Sequence, residues 1–141
     1  MIAPEIAFDT LKENFELLDD WDDRYRYIID LGRKLPPFPI ELQTDANKVR
    51  GCMSQVWLVP GRAVHDPAVF AFAANSDAHI VKGLVAILGI LFSGQKPEAI
   101  SCIDPEAAFR ALGLDQHLSP SRRNGLVAMV QKIKEYAAAL N

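Results

Sequence analysis

Residues that could carry redox or metal chemistry are few in this sequence. Its 141 residues include two cysteines, Cys52 and Cys102, and three histidines. The cysteines do not form a Cys-x-x-Cys pair and the histidines are scattered, which argues against a dedicated zinc site. In a reducing compartment two such cysteines are expected to be free thiols rather than a disulfide.

Runs of basic residues and glycine-rich loops are also missing. The formal net charge is −3, and no cluster of Lys and Arg provides the basic surface that a nucleic-acid-binding protein needs. Gly83 and Gly89 fall inside a predicted helix, so we expect no phosphate-binding loop. The acidic run at residues 19–23 lacks the alternating ligands and central glycine of an EF-hand, and it is better explained as the start of a helix.

Long hydrophobic runs are absent as well. The most apolar stretch, Ile80–Phe92, is shorter than the ~20 residues that span a bilayer, and Lys82 interrupts it. The N-terminus has neither the basic nor the apolar region of a secretory signal. We therefore expect a cytoplasmic protein with no membrane partner.

The length and the even composition predict one domain over residues 1–141, with no linker or repeat to divide it. Helix-start patterns occur at a capping box beginning with Thr10 and at four further N-cap candidates, which are Asp20, Ser76, Asp104 and Ser119. The helix after Asp20 should end near Gly32–Leu35, before Pro36 and Pro37. Apolar residues nearly all round the segment from Ile80 to Leu91 predict a helix buried at the centre of the domain.

Strand patterns are confined to the middle of the chain. Ser54–Val59 and Val69–Ala73 are rich in β-branched and aromatic residues, and Pro60–Gly61 between them is a turn signal. A short third strand is predicted at Asn47–Val49. The predicted fold is therefore α+β, with a small antiparallel sheet of two to three strands flanked by helices.

Cys52 is the stronger candidate for chemistry, although most free cysteines are small buried hydrophobes. It follows Gly51, which lets the backbone turn and lets another molecule approach closely. Lys48 and Arg50 lie just upstream and are candidates to favour the thiolate over the thiol. No histidine near Cys52 in sequence offers the base that a hydrolytic cysteine requires, whereas a thiolate that exchanges sulfur needs none.

Cys102 lies in an apolar run, residues 99–103, between two predicted helices. We expect a packed and inert thiol there. The alternative is a resolving cysteine that forms a disulfide with Cys52.

The run Asn47-Lys48-Val49-Arg50-Gly51-Cys52-Met53-Ser54-Gln55-Val56-Trp57-Leu58 closely resembles the SufE family of sulfur acceptors. Three further segments match in the same order, around residues 20–36, 75–83 and 113–126. The resemblance extends from about Trp21 to Met129. Departures are small: many members have Asp where this chain has Asn75, and residues 37–39 look variable.

The resemblance implies a fold similar to that of the IscU-type cluster scaffolds. It implies that Cys52 is catalytic and lies at the tip of an active-site loop with Gly51, Met53, Ser54 and Gln55. In the free protein apolar side chains would cover this cysteine, and partner binding would swing the loop outward. Asp77 and Arg122 match family positions associated with the partner contact.

By the same resemblance, Cys52 would take a sulfane sulfur as a persulfide from a cysteine desulfurase of the SufS or CsdA type. It would stimulate that enzyme and pass the sulfur to an iron–sulfur cluster scaffold. Pyridoxal phosphate would belong to the desulfurase, and this chain would have no cofactor of its own. We expect an activator rather than a stand-alone enzyme, as a monomer or weak dimer. Two alternatives stay open: an iron–sulfur cluster scaffold, and a regulator that acts on a desulfurase by docking alone.

Overall fold

Helices surround a two-stranded sheet in the computed structural model, which describes residues 1–51, 53–63 and 65–140. The helices are α1 (Phe8–Glu16), α2 (Trp21–Arg33), α3 (His79–Phe92), α4 (Pro97–Ile100), α5 (Pro105–Ala111) and α6 (Pro120–Ala139). The strands are β1 (Val56–Arg62) and β2 (Phe70–Ser76). Short 3₁₀ turns occupy residues 40–42, 45–47 and 114–116. The α+β fold class is confirmed.

Side-chain caps fix three of the predicted helix starts. The side chains of Asp20, Asp104 and Ser119 each accept a backbone N–H three residues later, at the starts of α2, α5 and α6. The other two predicted starts are wrong. α1 begins at Phe8, before Thr10 and without a side-chain cap, because Phe8 already packs against the core. Ser76 ends β2, and α3 begins at His79.

The two strands pair antiparallel, from Val56 opposite Ser76 to Arg62 opposite Phe70. The predicted turn at Pro60–Gly61 is wrong, because both residues lie inside β1. Pro60 faces Phe72, whose carbonyl accepts the Ile2 N–H (2.7 Å) on the other edge of β2. This pair is therefore not hydrogen-bonded across the sheet, and the position needs no N–H from proline.

The predicted third strand at Asn47–Val49 is reduced to a bridge. Lys48 pairs with Trp57 as an isolated bridge, and the Val49 N–H donates to Val56 O (2.8 Å). The chain before this contact forms a 3₁₀ turn, so no ladder develops. This short contact nevertheless fixes where the segment before Cys52 meets β1.

α3 is the central helix, as its apolar pattern predicts, and it packs against α2, β2 and α6. Its approach to α2 is close: a Cβ on Gly83 would lie 2.2 Å from Ile28 O, and one on Gly32 would lie 2.6 Å from Gly83 N. The two backbones touch where neither residue has a side chain. In the part of the chain that the structure describes, no helix is long and apolar enough to cross a membrane.

Candidate functional site

The candidate site centres on Cys52, which itself lies outside the described residues, while its neighbours on both sides are described. Gly51 has φ +91°, a left-handed conformation that glycine adopts without strain. Met53 is 87% exposed, more than the exposed Leu17 (80%) and Ile40 (75%). The chain therefore turns sharply before Cys52 and presents an apolar side chain to solvent after it.

Two sets of hydrogen bonds hold the ends of this segment. On one side, the Val49 N–H donates to Val56 O (2.8 Å). On the other side, Asp77 contacts Gln55 twice: the Asp77 N–H donates to Gln55 O (3.2 Å), and Asp77 Oδ1 accepts the Gln55 N–H (3.0 Å). We call residues 50–55 the Cys52 loop. It is fixed where it joins β1 and tied there to the segment between β2 and α3.

A cavity of about 30 Å³ lies beside the Cys52 loop. A cavity of this volume is large enough to hold a water molecule. Its walls come from the loop and β1, from α3, and from the first half of α6: they are Met53, Ser54, Val56, Val81, Leu84, Ser121, Arg122, Gly125 and Met129. α6 approaches the loop closely, since a Cβ on Gly51 would lie 3.5 Å from the Ala128 side chain.

The structure brings Arg122 to this cavity together with Met53 and Ser54. Arg122 occupies the first turn of α6, where its N–H donates to the capping Ser119 Oγ (3.2 Å), and its side chain is exposed. The amino end of a helix carries partial positive charge. The helix end and the guanidinium therefore both favour an anionic group beside the cavity.

Lys48 and Arg50 do not line the cavity. Lys48 is half-buried beside Trp57, and Arg50 is exposed. Within residues 1–51, 53–63 and 65–140, neither side chain makes a hydrogen bond or an ion pair. A role for either in tuning the Cys52 thiolate stays a prediction.

Asp77 is exposed and also lies off the cavity. Its two contacts with Gln55 show what it does locally, which is to hold the end of the Cys52 loop. The sequence pattern did not reveal this pairing, because residues 55 and 77 are 22 positions apart along the chain and meet at the open end of the hairpin only through its register. A role of Asp77 in partner binding stays a prediction.

The prediction of a packed Cys102 is wrong, because this residue is exposed. The helix α4, which the sequence pattern did not predict, ends at Ile100 and buries that side chain completely. The following turn, in which the Cys102 N–H donates to Ala99 O (3.1 Å), directs Ser101 and Cys102 outward. The apolar appearance of this run reflects Ile100 rather than the cysteine.

Apart from Arg122, sequence reasoning did not anticipate the α3 and α6 side chains that line the cavity. The Ser119–Pro120 pattern located the start of α6, but nothing in it indicated that this end faces the Cys52 loop. Among the described residues, no three His, Cys, Asp or Glu side chains are close enough together to share a metal ion.

Comparisons with known proteins give a matching family model, related sequences and one similar fold. Residues 9–137 match the family model described as "SufE: Fe-S metabolism associated domain". An uncharacterized SufE-like protein of Rhizobium meliloti (strain 1021) is 47% identical over 93% of this chain and 94% of its own length. A second uncharacterized SufE-like protein, from Rhizobium etli, is 46% identical over 93% of this chain and 89% of its own length.

A solution structure of a hypothetical protein from Thermus thermophilus is similar in fold, with a TM-score of 0.74. The match covers 94% of this chain and 93% of that one at 20% identity. At this identity the likeness extends to the fold alone.

Proposed function

The chain belongs to the SufE family, whose domain is associated with Fe-S metabolism, and from this premise we propose that Cys52 accepts sulfane sulfur from a cysteine desulfurase. The acceptor holds the sulfur as a Cys52 persulfide, stimulates the desulfurase by removing its product, and delivers the sulfur to an iron–sulfur cluster scaffold. The observation that carries the proposal is the Cys52 loop: a left-handed glycine and an 87% exposed methionine adjoin the cysteine in sequence, and Met53 lines a cavity with the first turn of α6.

The chemistry is an exchange between sulfur atoms and needs no external oxidant. The Cys52 thiolate attacks the terminal sulfur of the donor persulfide, a new S–S bond forms at Cys52, and the donor leaves as a thiolate. The second transfer repeats these events with Cys52 as the donor and a thiolate of the receiving protein as the nucleophile. Each step breaks one S–S bond and forms one, so the oxidation state of the pair is conserved.

The side chains around the cavity support this role electrostatically. A thiolate is the nucleophile in each transfer, and the amino end of α6 with Arg122 favours negative charge there. No general base is required to activate water. Pyridoxal phosphate belongs to the desulfurase, and this chain contributes only the acceptor thiol.

Because hydrogen bonds hold the Cys52 loop at its junction with β1, we expect the rest of the loop to move as one unit. Its junction with β1 is held by the Val49–Val56 and Asp77–Gln55 contacts, while Gly51 and Met53 lie on the surface between them. Docking of a desulfurase would then displace residues 50–54 without disturbing β1. Exposing the thiol only on docking limits its oxidation between encounters.

Intact-mass spectrometry tests the proposal. After incubation with a cysteine desulfurase and cysteine, we expect a gain of ~32 mass units per sulfur atom, reversed by dithiothreitol as thiol exchange requires. The gain should map to Cys52 and be lost in Cys52→Ser. The matched control is Cys102→Ser, which removes the other thiol and should keep the gain.

The same two variants separate the proposal from a regulator that acts by docking alone. If the Cys52→Ser protein still stimulates the desulfurase at the original level, the carrier mechanism is wrong. A gain that maps to Cys102 would refute the assignment of the site.

A further inference from the structure

An apolar groove lies between α5 and α6. Two adjoining cavities of about 490 and 260 Å³ form it, and both are lined by Glu106, Phe109, Leu126 and Val127. Pro105 and Val130 extend the apolar lining. Val127 is 53% exposed, so the part of the chain that the structure describes leaves this groove open.

The groove and the Cys52 loop use opposite faces of the same helix. Along α6 the cavity beside the loop is lined by residues 121, 122, 125 and 129, and the groove by 123, 126, 127, 130, 131 and 134. With a helical rotation of 100° per residue, the two sets point about 150° apart. A molecule in the groove therefore leaves the loop accessible.

Charges at the rim give the groove a direction. At one end, Arg110 and Arg123 accompany the carboxylate of Asp115. Arg123 donates to the Asp115 backbone carbonyl and forms no ion pair with any described residue. At the other end, Glu135 accompanies Lys134, whose ammonium already donates to Ile103 O (3.0 Å). Glu106 lies between the two ends, because it lines both cavities. The end at Arg110 and Arg123 therefore has an excess of positive charge, and the rest of the rim has an excess of negative charge.

We propose that this groove is a docking site for an amphipathic helix of a protein partner. The partner helix places apolar residues at i, i+3/i+4 and i+7 over Val127 and Val130, in the helix-in-groove mode. It carries an acidic residue toward Arg110 and Arg123 and a basic residue toward Glu106 and Glu135. From Arg123 to Glu135 the groove is about 18 Å long, which fits three helical turns.

This contact does not require Cys52. Together with the proposed function, the groove would allow two partners to bind at once, because a sulfur carrier must meet first a sulfur donor and then a sulfur receiver. One partner would stay bound in the groove while the Cys52 loop exchanges sulfur with the other protein.

Binding of helix-stabilised, fluorescein-labelled peptides to the full chain tests the proposal by fluorescence anisotropy. Three peptides share one leucine stripe and differ only at their ends: Lys and Glu, Lys at both, and Glu at both. The peptide with one Lys end and one Glu end should bind roughly fivefold more tightly than either of the other two peptides. Each of those has one end that faces a rim charge of the same sign, so it loses the binding free energy of one exposed ion pair. Sulfur transfer is not measured, so failure here does not bear on the role of Cys52.

Variants of the chain make the test specific. Val127→Glu places a charge on the groove floor and should abolish binding, while Leu17→Glu, at another exposed apolar residue, should leave it unchanged. Arg110→Glu reverses one rim charge without altering the floor, and it should make the peptide with two Lys ends the tightest binder.

Equal binding of all three peptides, or equal loss in the Val127 and Leu17 variants, would overturn the proposal. Sedimentation equilibrium tests whether the groove instead binds a second copy of this chain. A dimer of the unaltered chain that Val127→Glu dissociates would assign the groove to a second copy instead, and it would also overturn the proposal.

Discussion

Replacing Asp77 with Ala should loosen the Cys52 loop without unfolding the protein. The substitution removes the carboxylate that accepts the Gln55 N–H (3.0 Å). It leaves the second contact intact, because the bond from the Asp77 N–H to Gln55 O involves only backbone atoms. The effect should therefore be confined to opening of this end of the loop.

The size of the effect follows from the type of bond. A hydrogen bond to a charged acceptor contributes about 1.5–3 kcal/mol when it is shielded from water. Asp77 is exposed, so solvent screening reduces the expected loss to about 1 kcal/mol. That loss raises the population of the open loop about fivefold. The midpoint of urea unfolding should change little.

Amide hydrogen exchange followed by NMR measures this opening directly, and the Gln55 amide should exchange about fivefold faster in Asp77→Ala. Asp77→Asn keeps an oxygen acceptor and loses the charge, so its Gln55 exchange rate should lie between those of the unaltered protein and Asp77→Ala. Asp66→Ala is the matched control, because Asp66 Oδ1 accepts the Ala68 N–H at the same 3.0 Å and is also exposed. That control should leave Gln55 exchange unaltered.

Two results would refute this reasoning. Unchanged Gln55 exchange in Asp77→Ala would mean that the carboxylate does not hold the loop. An equal acceleration in Asp66→Ala would mean that the effect is global rather than local to the loop.

Three further variants test the rest of the structure. Gly83→Ala should lower the free energy of unfolding by about 2 kcal/mol in urea denaturation, because the new Cβ would lie 2.2 Å from Ile28 O and force α2 and α3 apart. An unchanged midpoint of urea unfolding would contradict the close approach of these two helices. Cys102→Ser should leave that free energy within ~0.5 kcal/mol, because the thiol is exposed, and iodoacetamide should modify Cys102 in the folded protein; protection there would mean that the residue is buried after all. Tyr25→Phe should cost about 1 kcal/mol through loss of the hydrogen bond to the His117 carbonyl, and a thermal melt that matches the unaltered protein would argue against that bond.

Local signals predicted much of the helical structure. Asp20, Asp104 and Ser119 cap the helices that they were expected to cap, because the side chain, the N–H and the turn between them lie within four residues. Thr10 and Ser76 failed for a physical reason: tertiary contacts shift the start of α1 to Phe8 and keep Ser76 in β2.

Long-range contacts explain the errors in the sheet and at Cys102. Pro60 and Gly61 look like a turn in isolation, yet the register with β2 places Pro60 where no N–H is needed. The short helix α4 turns Cys102 outward after burying Ile100. Neither outcome can be derived from a window of neighbouring residues.

Periodicity and capping were enough to predict the α+β class, the buried α3 and the starts of α2, α5 and α6, since each of these depends on residues that are close together along the chain. One distinctive run of residues made Cys52 the candidate for chemistry, and its role stays a prediction. The surroundings of the Cys52 loop depend instead on tertiary packing. Hairpin register joins Asp77 to Gln55, and the packing of α6 brings Arg122 to the cavity beside Met53. These residues lie far apart along the chain, and the fold alone brings them together.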